Sequence, residues 1–290
     1  MRNDRTGATR HWPRDVRTLA VDVGGTNLKA SVLDRDGAML AERVRVATPY
    51  PCPPPVLVTA LGQLARELPA FHRASVGFPG LIRKGVVRQV PALSRVSPGG
   101  PSKPRLAARW EGFRLRDALE EALGVPTLVA NDADVQGSAV VRGVGVELVV
   151  TLGTGVGCAL FEDGVLLPHL ELAHGHYKKG VSIDHALGNA ARERIGKRRW
   201  NRRVAWALHW LEEMVLFDRM YVGGGNAKHL TLALGRRAEV VANTAGITGG
   251  IRLWERYDGP LQRHPAPGGR RRATPARRRG NGAASPQPSA

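Results

Sequence analysis

The amino-acid sequence predicts a duplicated α/β fold with two domains and a central cleft. The main evidence is a unit that occurs twice: an apolar strand, a Gly/Thr turn, a second strand, an Asp-Gly corner and a third apolar run. The first copy spans residues 19–40 and the second spans residues 148–167. Amphipathic helices are predicted between the copies, at residues 56–68 and 115–123. A repeated strand unit interleaved with helices is typical of two similar α/β domains that face each other.

The composition indicates a globular protein with a sizeable core. The chain has 290 residues, of which 42% are hydrophobic and 23% are charged. No apolar run approaches the roughly 20 residues that span a bilayer, and residues 1–17 lack the apolar centre of a signal peptide. Cys52 and Cys158 are the only cysteines, too few for a disulfide framework. We therefore expect a cytoplasmic protein with no membrane partner.

Changes in composition predict the domain boundaries. Residues 1–17 are polar and basic and are expected to form a flexible leader. An N-terminal α/β domain is expected over residues 18–130 and a C-terminal one over residues 131–256, whose final helix could pack back on the first domain. The full sequence has a net charge of +18, to which seven arginines of the tail, residues 257–290, contribute. The tail is also rich in proline and glycine. Such a segment cannot bury a core, so we expect it to be disordered.

The pattern of apolar residues predicts several further elements. In the first half we expect a third strand at residues 39–46, a buried strand at residues 74–82 and an exposed, mobile loop at residues 94–109. In the second half we expect a long helix over residues 204–215, a strand at 219–222, a helix at 227–234, a strand at 239–242 and a final helix at 244–254.

The first Gly/Thr turn has two interpretations. Gly24 and Gly25 could form a tight hairpin corner that requires positive φ angles. Alternatively, they leave backbone N–H groups open to an anion, with Asp22 placed where a metal bound to that anion would arrive. Lys29 would then either face the anion or remain an ordinary solvated lysine. The second copy, at residues 151–157, favours an anion site contributed by each domain.

Three motifs together resemble the ROK family of sugar kinases, within the actin-like, hexokinase-type superfamily. They are Asp22-Val-Gly-Gly-Thr-Asn-Leu-Lys29, Leu152-Gly-Thr-Gly-Val-Gly157 and Tyr221-Val-Gly-Gly-Gly-Asn226. The resemblance covers residues 18–256 and is strongest to the branch of glucokinases and polyphosphate glucokinases. It implies an actin-like (ribonuclease H-like) ATPase fold. It also implies phosphoryl transfer from ATP or polyphosphate to the 6-hydroxyl of glucose, with Mg²⁺ as cofactor.

The resemblance assigns roles to individual residues. Asp132 would be the general base that takes the proton from the sugar hydroxyl, and Asp22 would hold Mg²⁺ through water. On spacing alone, the N-cap of the next helix is the favoured role for Asn131, Asp132 or Asp134. The residues expected to bind phosphate or nucleotide are Gly24, Gly25, Thr26, Asn27, Gly153, Thr154, Gly155, Gly223, Gly224 and Gly225.

The sugar ligands that the resemblance implies are Asn131, Glu171, His174 and Asp184. Glu171-Leu-Ala-His174 matches a Glu-x-x-His motif, with alanine in place of the usual glycine. Asp184 stands where relatives carry a glutamate, and its shorter reach leaves the hexose open, with mannose and N-acetylmannosamine as alternatives to glucose. Relatives that bind structural zinc use this histidine and a Cys-rich motif. That motif is absent from the sequence, so we expect no structural zinc.

The sequence leaves two phosphoryl donors open, ATP and polyphosphate, and bears on the partners of the protein. Lysines and arginines between residues 178 and 203 could steer a polyphosphate chain, or could form a solvated basic face. Repressors of the same family carry an added helix-turn-helix domain, and the 17 residues before the first strand are too few for one. We therefore expect no specific nucleic-acid partner. A sugar-binding pseudokinase is disfavoured because Asp22 and Asp132 are both present, and the resemblance implies a homodimer.

Overall fold

The computed structural model describes residues 12–241 and 248–254. These residues lie within one compact unit of the chain, Met1–Gly259. The predicted tail lies outside the described residues, as do residues 1–11 of the predicted leader and residues 244–247 of the predicted final helix. No helix in the described ranges is both long and apolar enough to cross a membrane.

Fourteen strands and seven α-helices make up the described part of the chain. The strands are β1 (Thr18–Val23), β2 (Asn27–Leu33), β3 (Val44–Ala47), β4 (Arg73–Phe78), β5 (Leu81–Arg83), β6 (Val86–Gln89), β7 (Thr127–Asn131), β8 (Val146–Leu152), β9 (Val156–Glu162), β10 (Val165–Leu166), β11 (His176–Lys178), β12 (Val181–Ser182), β13 (Arg219–Gly223) and β14 (Ala238–Val240). The α-helices are α1 (Pro54–Arg66), α2 (Pro104–Trp110), α3 (Leu115–Leu123), α4 (Asp132–Val140), α5 (Ile183–Leu187), α6 (Asn189–Ile195) and α7 (Lys197–Val215). Short 3₁₀ turns lie at Leu172–His174, Ala227–His229 and Gly249–Ile251.

Two five-stranded sheets share one topology, which confirms the predicted duplication. The strand order is β3-β2-β1-β4-β7 in the first sheet and β10-β9-β8-β13-β14 in the second. Each sheet begins with antiparallel pairs and continues with parallel ones, β1 to β4 to β7 and β8 to β13 to β14. The two Gly/Thr turns, after β1 and after β8, therefore occupy equivalent corners of the two sheets.

The central strands of the first sheet are buried on both faces. All six residues of β4 are buried, as parallel strands covered on both sides usually are. On one face, helices α1 and α3 pack their leucines against the strands, for example Leu57 and Leu119. On the other face lie helix α4 and the last described segment, which contributes Ile251 and Trp254.

Helix α4 packs between the two sheets. On one side, Val135 lies against Gly77 of β4, where an added Cβ would be 3.5 Å from the valine Cγ2. On the other side, the backbone of Gly137 meets Phe161 of β9 so closely that a Cβ would lie 2.7 Å from the ring. The helix starts directly after β7. Its N-terminus therefore opens at the carboxyl edge of the first sheet, where the Gly/Thr turn of that sheet also lies.

The last described segment contacts the first sheet. The Ser75 hydroxyl donates to the Gly250 carbonyl at 2.5 Å, and the Trp254 indole N–H donates to Ser75 Oγ at 3.0 Å. Trp254 also packs edge-on against Trp12, with ring centroids 5.4 Å apart, and Val16 is buried. Residues 12–17, predicted to belong to a flexible leader, are thus part of the packed fold.

Helix α2 lies in a region predicted to be an exposed loop, so that prediction is wrong for residues 104–109. The helix begins at a proline, which suits the first helical position because its missing N–H would have no partner there. Leu106 and Trp110, four residues apart, turn one face into the core, and the Trp110 indole N–H donates to the Cys52 carbonyl at 2.9 Å. This pair at helical spacing after Pro104 is the feature that the sequence interpretation overlooked.

The helix predicted over residues 227–234 is also wrong beyond its first turn, which is the 3₁₀ turn Ala227–His229. A side chain of α7 takes the backbone groups that a helix would pair internally. Asn201 Nδ2 donates to the His229 carbonyl at 3.1 Å, and the Thr231 N–H donates to Asn201 Oδ1 at 2.7 Å. These tertiary bonds replace the intrahelical ones, and Leu230 leaves the turn in an extended conformation.

Candidate active site

The first Gly/Thr turn is held through its carbonyl groups. The Thr48 hydroxyl donates to the Gly24 carbonyl and the Tyr50 hydroxyl to the Gly25 carbonyl, each at 2.7 Å. The Thr48 N–H donates to the Thr26 carbonyl at 3.0 Å. The N–H and C=O of a trans peptide point in opposite directions, so these bonds aim the N–H groups of the turn away from β3. The exposed corner at Thr26 thus presents donors suited to an anion.

Crowding, and not a left-handed backbone, explains the glycine at position 24. Neither Gly24 nor Gly25 has a positive φ angle, so the simple hairpin interpretation is wrong. The Gly24 N–H donates to the Asn27 carbonyl at 2.9 Å, and a Cβ at residue 24 would lie only 2.8 Å from that oxygen. The turn is therefore narrower than any side chain at this position would permit.

Asp22 is paired with Lys29 across the β1–β2 hairpin. The two residues are direct cross-strand partners, and Lys29 Nζ lies 2.9 Å from Asp22 Oδ2. Their side chains are 33% and 14% exposed, respectively. Lys29 is therefore not an ordinary solvated lysine. Its charge is also not free to bind an anion, because it already neutralises the carboxylate of Asp22 at the base of the turn.

The second Gly/Thr turn is braced in the same manner by different residues. The Asn189 N–H, at the start of α6, donates to the carbonyls of Gly153 and Thr154 at 3.0 and 3.2 Å. The Asn226 side chain donates to the Gly153 carbonyl as well, at 2.9 Å. The peptides of this turn are thus fixed by their carbonyl ends, as in the first turn. Both equivalent corners are thus held by their carbonyl groups, and the binding of an anion at each stays a prediction.

The third glycine motif lies directly beside the second turn. Gly224 follows β13 with a φ of 87°, and a Cβ there would lie 2.4 Å from the Leu152 carbonyl oxygen. The Asn226 N–H donates to that same carbonyl at 2.9 Å. Gly224 and the exposed Gly225 therefore lie beside the second turn, whereas Gly223 is buried, and the nucleotide contact stays a prediction.

Asp184 lies against the second turn. Its Oδ1 accepts the Val156 N–H at 2.7 Å, and a Cβ at Gly155 would collide with it. One carboxylate oxygen is thus committed to the turn. Its assignment as a sugar ligand stays a prediction that would use the other oxygen.

Three polar residues, Asn131, Asp132 and Asp134, lie at the junction of β7 and α4, and only one of them is the N-cap of the helix. The N-cap of α4 is Asn131, whose Oδ1 accepts the Ala133 N–H at 2.8 Å, while its Nδ2 donates to the Gly80 carbonyl at 3.2 Å. The capping role is therefore taken by the asparagine, and Asp132 is the first residue of the helix proper. The sugar contact predicted for Asn131 would have to use the hydrogen-bonding capacity that these two bonds leave.

The carboxyl of Asp132 has an unusual protonation equilibrium. Burial and, next in size, the negative charge of Asp22 raise its pKa to about 7, with Asp134 adding to the rise and the Ala133 N–H opposing it. Register explains the approach of Asp22, which is opposite Gly77 of β4, itself opposite Ala130 of β7. A carboxyl with a pKa near neutral is suited to act as a general base.

The predicted sugar motif is tied to helix α4 by a histidine that the sequence interpretation missed. His169 Nε2 lies 3.0 Å from Glu171 Oε1, and His169 Nδ1 lies 2.9 Å from Asp134 Oδ1. His174 Nε2 is 3.7 Å from Glu171 Oε2. The structure thus brings Glu171 and His174 together. A histidine two residues before a glutamate is the pattern that could have pointed to this contact, but it is too common to be specific.

The comparisons with known proteins agree with this architecture. A sequence model of the ROK family matches residues 18–176. The polyphosphate glucokinase of Mycobacterium tuberculosis is 28% identical over 248 residues, covering 80% of this chain and 88% of the relative. The Mycobacterium leprae polyphosphate glucokinase is 26% identical over 265 residues, covering 85% and 76% of the two chains.

Solved structures show the same fold. The inorganic polyphosphate/ATP-glucomannokinase from Arthrobacter sp. strain KM is 30% identical with a TM-score of 0.69, covering 82% of this chain and 97% of its own. A ROK family glucokinase from Streptomyces griseus shares the fold at 20% identity, with a TM-score of 0.65 and coverage of 82% and 98%. Since the family model spans more than half of the sequence, this chain belongs to the ROK family.

Proposed function

We propose that this chain is a glucokinase that transfers a phosphoryl group from polyphosphate or ATP to the 6-hydroxyl of glucose. The observation that carries the proposal is Asp132, a carboxyl with a pKa of about 7 at the tip of the helix packed between the two sheets. The similarity to the mycobacterial polyphosphate glucokinases and the Arthrobacter glucomannokinase supports this substrate class.

In the proposed reaction, Asp132 takes the proton of the attacking hydroxyl as that oxygen bonds to the terminal phosphorus of the donor. The bridging P–O bond of the donor breaks in the same step, and ADP or the shortened polyphosphate leaves. The N–H groups of the two Gly/Thr turns would hold the phosphate oxygens, one turn from each sheet. Phosphoryl transfer depends mainly on alignment and on neutralising charge, so two braced turns with fixed donors supply much of what the chemistry requires. Glu171 and His174 would accept and donate hydrogen bonds to the sugar hydroxyls.

Asp22 fits the mode in which magnesium is held in kinases. Mg²⁺ usually binds one or two protein carboxylates, substrate phosphates and several waters. Asp22 supplies one carboxylate beside the first turn, with Oδ2 paired to Lys29 and Oδ1 left as the candidate ligand. Bound there, the ion would neutralise charge on the donor phosphates.

The test of Asp132 is the substitution Asp132→Asn, which keeps the size of the side chain and removes the base. We expect kcat to fall by about 10²–10⁴-fold, the usual contribution of a general base, while the dissociation constant for glucose measured by calorimetry changes little. Asp163→Asn, at an exposed corner of the second sheet, is the matched control and should retain wild-type kcat. Near-full kcat in Asp132→Asn would refute the assignment.

A second hexose has its own support. The N-acetylmannosamine kinase of Citrobacter koseri is 30% identical over 164 residues, 55% of this chain and 52% of the relative. A coupled assay of glucose, mannose and N-acetylmannosamine, each with ATP and with polyphosphate, separates the candidates. The highest kcat/KM with glucose supports the proposal. Turnover confined to N-acetylmannosamine would replace it, and no turnover with any pair would favour a pseudokinase.

The donor preference can be related to the basic helices α6 and α7. Arg192 donates to Asn189 Oδ1 at 2.8 Å, which places the start of this basic stretch beside the second turn. Arg194, Lys197, Arg198, Arg199 and Arg202 continue it along the exposed surface. If this surface guides polyphosphate, KM for polyphosphate should rise with salt more steeply than KM for ATP.

We also propose that the protein is a homodimer, which sedimentation equilibrium tests.

A further inference from the structure

A continuous chain of charged groups leads from helix α4 to the proposed sugar site. It runs from Asp134 through His169 to Glu171 and ends near His174. The side chains of Asp134, His169 and Glu171 are 6%, 12% and 25% exposed, so exposure increases toward the sugar side. This series of charged side chains therefore begins inside the protein, at Asp134, and ends at the surface that would meet the substrate.

Both ring nitrogens of His169 face carboxylate oxygens, at 2.9 and 3.0 Å. An ionised carboxylate only accepts hydrogen bonds, so each ring nitrogen must donate, and the ring is an imidazolium. Burial lowers the pKa of His169, but the hydrogen bonds and charges of the two carboxylates outweigh it and raise the pKa to about 10. His169 is therefore a fixed cation throughout the neutral range.

The charge of His169 acts on Glu171, at the substrate end of this series of side chains. Burial raises the pKa of the Glu171 carboxyl, but the His169 hydrogen bond and charge, with the charge of His174, outweigh it and leave the pKa lowered. Glu171 thus stays ionised and is held from one side, through Oε1, while Oε2 faces His174 at 3.7 Å. An acceptor that is fixed before the substrate arrives loses less freedom on binding.

We propose that His169 is a positioning residue, which holds Glu171 in the orientation that accepts hydrogen bonds from the hexose and ties the sugar loop to the helix that carries Asp132. The proposal rests on the proposed function of this site. Asp134, the anchor, is two residues along α4 from Asp132. The bridge therefore sets the position of the sugar ligand relative to the base, and it couples sugar affinity to a residue that does not touch the sugar.

The test is a double-mutant cycle on glucose kinetics with His169→Gln and Glu171→Gln. Glutamine offers one amide donor group and cannot donate to both carboxylates from opposite ends. We expect His169→Gln to raise KM for glucose by about ten- to a hundredfold, as loss of a charge-assisted hydrogen bond predicts, with KM for the donor unchanged. Because His169 acts through Glu171, the double variant should be little worse than Glu171→Gln alone.

His209→Gln is the matched control, since the His209 side chain is 70% exposed and, among the described residues, its one ion-pair partner is Glu213 at 3.9 Å. It should leave both KM values unchanged. If His169→Gln does not fold, Asp134→Asn replaces it in the cycle, with the same direction expected for KM. Additive effects, or an unchanged KM for glucose in an active His169→Gln enzyme, would overturn the positioning role while leaving the glucokinase proposal intact. A wild-type protein that neither binds nor phosphorylates any hexose would overturn both.

Discussion

The pH dependence of activity is the sharpest consequence of the proposed base. With a pKa of about 7, only about one tenth of Asp132 is ionised at pH 6, and about one hundredth at pH 5. Only the ionised carboxylate can take a proton, so kcat/KM should fall about tenfold for each pH unit below 7 and level off above it. An unperturbed aspartate would instead keep full activity down to about pH 5.

The assay is kcat/KM for glucose between pH 5 and 9 at saturating donor. Asp22→Asn removes the largest charge that raises the pKa of Asp132, so in its residual activity the acidic limb should move to lower pH. A wild-type limb centred at pH 4–5, or a limb that does not move in Asp22→Asn, would refute the reasoning.

The same shift has a consequence for stability. The folded-state pKa of Asp132 is above its unfolded value, so its contribution to stability is present below about pH 4 and is lost as the pH rises through 7. A rise of about three units corresponds to at most about 4 kcal/mol at pH 8, less the part that solvent screening at this partly exposed side chain removes. Asp132→Asn should therefore stabilise the protein at pH 8 relative to wild type and have little effect at pH 4, as measured by urea unfolding.

Three further substitutions test the remaining parts of the argument. Gly24→Ala places a Cβ 2.8 Å from the Asn27 carbonyl oxygen, and should raise KM for the donor more than KM for glucose. Tyr50→Phe removes the hydroxyl that donates to Gly25 and should raise KM for the donor, with a loss of about 1 kcal/mol in stability by urea unfolding. Trp110→Ala empties a fully buried site and should lower stability by about 3–5 kcal/mol, without a selective change in either KM of the folded fraction. An unchanged KM for the donor in Gly24→Ala or Tyr50→Phe, or an unchanged stability in Trp110→Ala, would contradict the role given to that residue.

The glycine motifs and the acids could be placed from the sequence because their chemistry is local. An apolar strand that ends in Asp22 and a Gly/Thr turn indicates a strand corner wherever it occurs, and the second copy at residues 148–167 indicates the equivalent corner. The start of α4 at residues 131–134 was likewise predictable, since asparagine and aspartate are favoured at helix N-termini. Side-chain geometry decides which of these residues caps the helix. In the structure the N-cap is Asn131, so neither Asp132 nor Asp134 has that role.

The sequence by itself determined the duplicated α/β plan and the two turns, because each turn and its flanking strands lie in a short run of neighbouring residues. The choice of Asp132 as the proposed base came from the resemblance to the ROK family. Only the tertiary structure decided how distant residues act on those runs. Thr48 and Tyr50 orient the first turn, Asn201 prevents a helix after residue 229, and His169 links Glu171 to a buried aspartate. Hydrogen bonds and charge effects of this kind depend on separation in space, and separation along the chain does not reveal them.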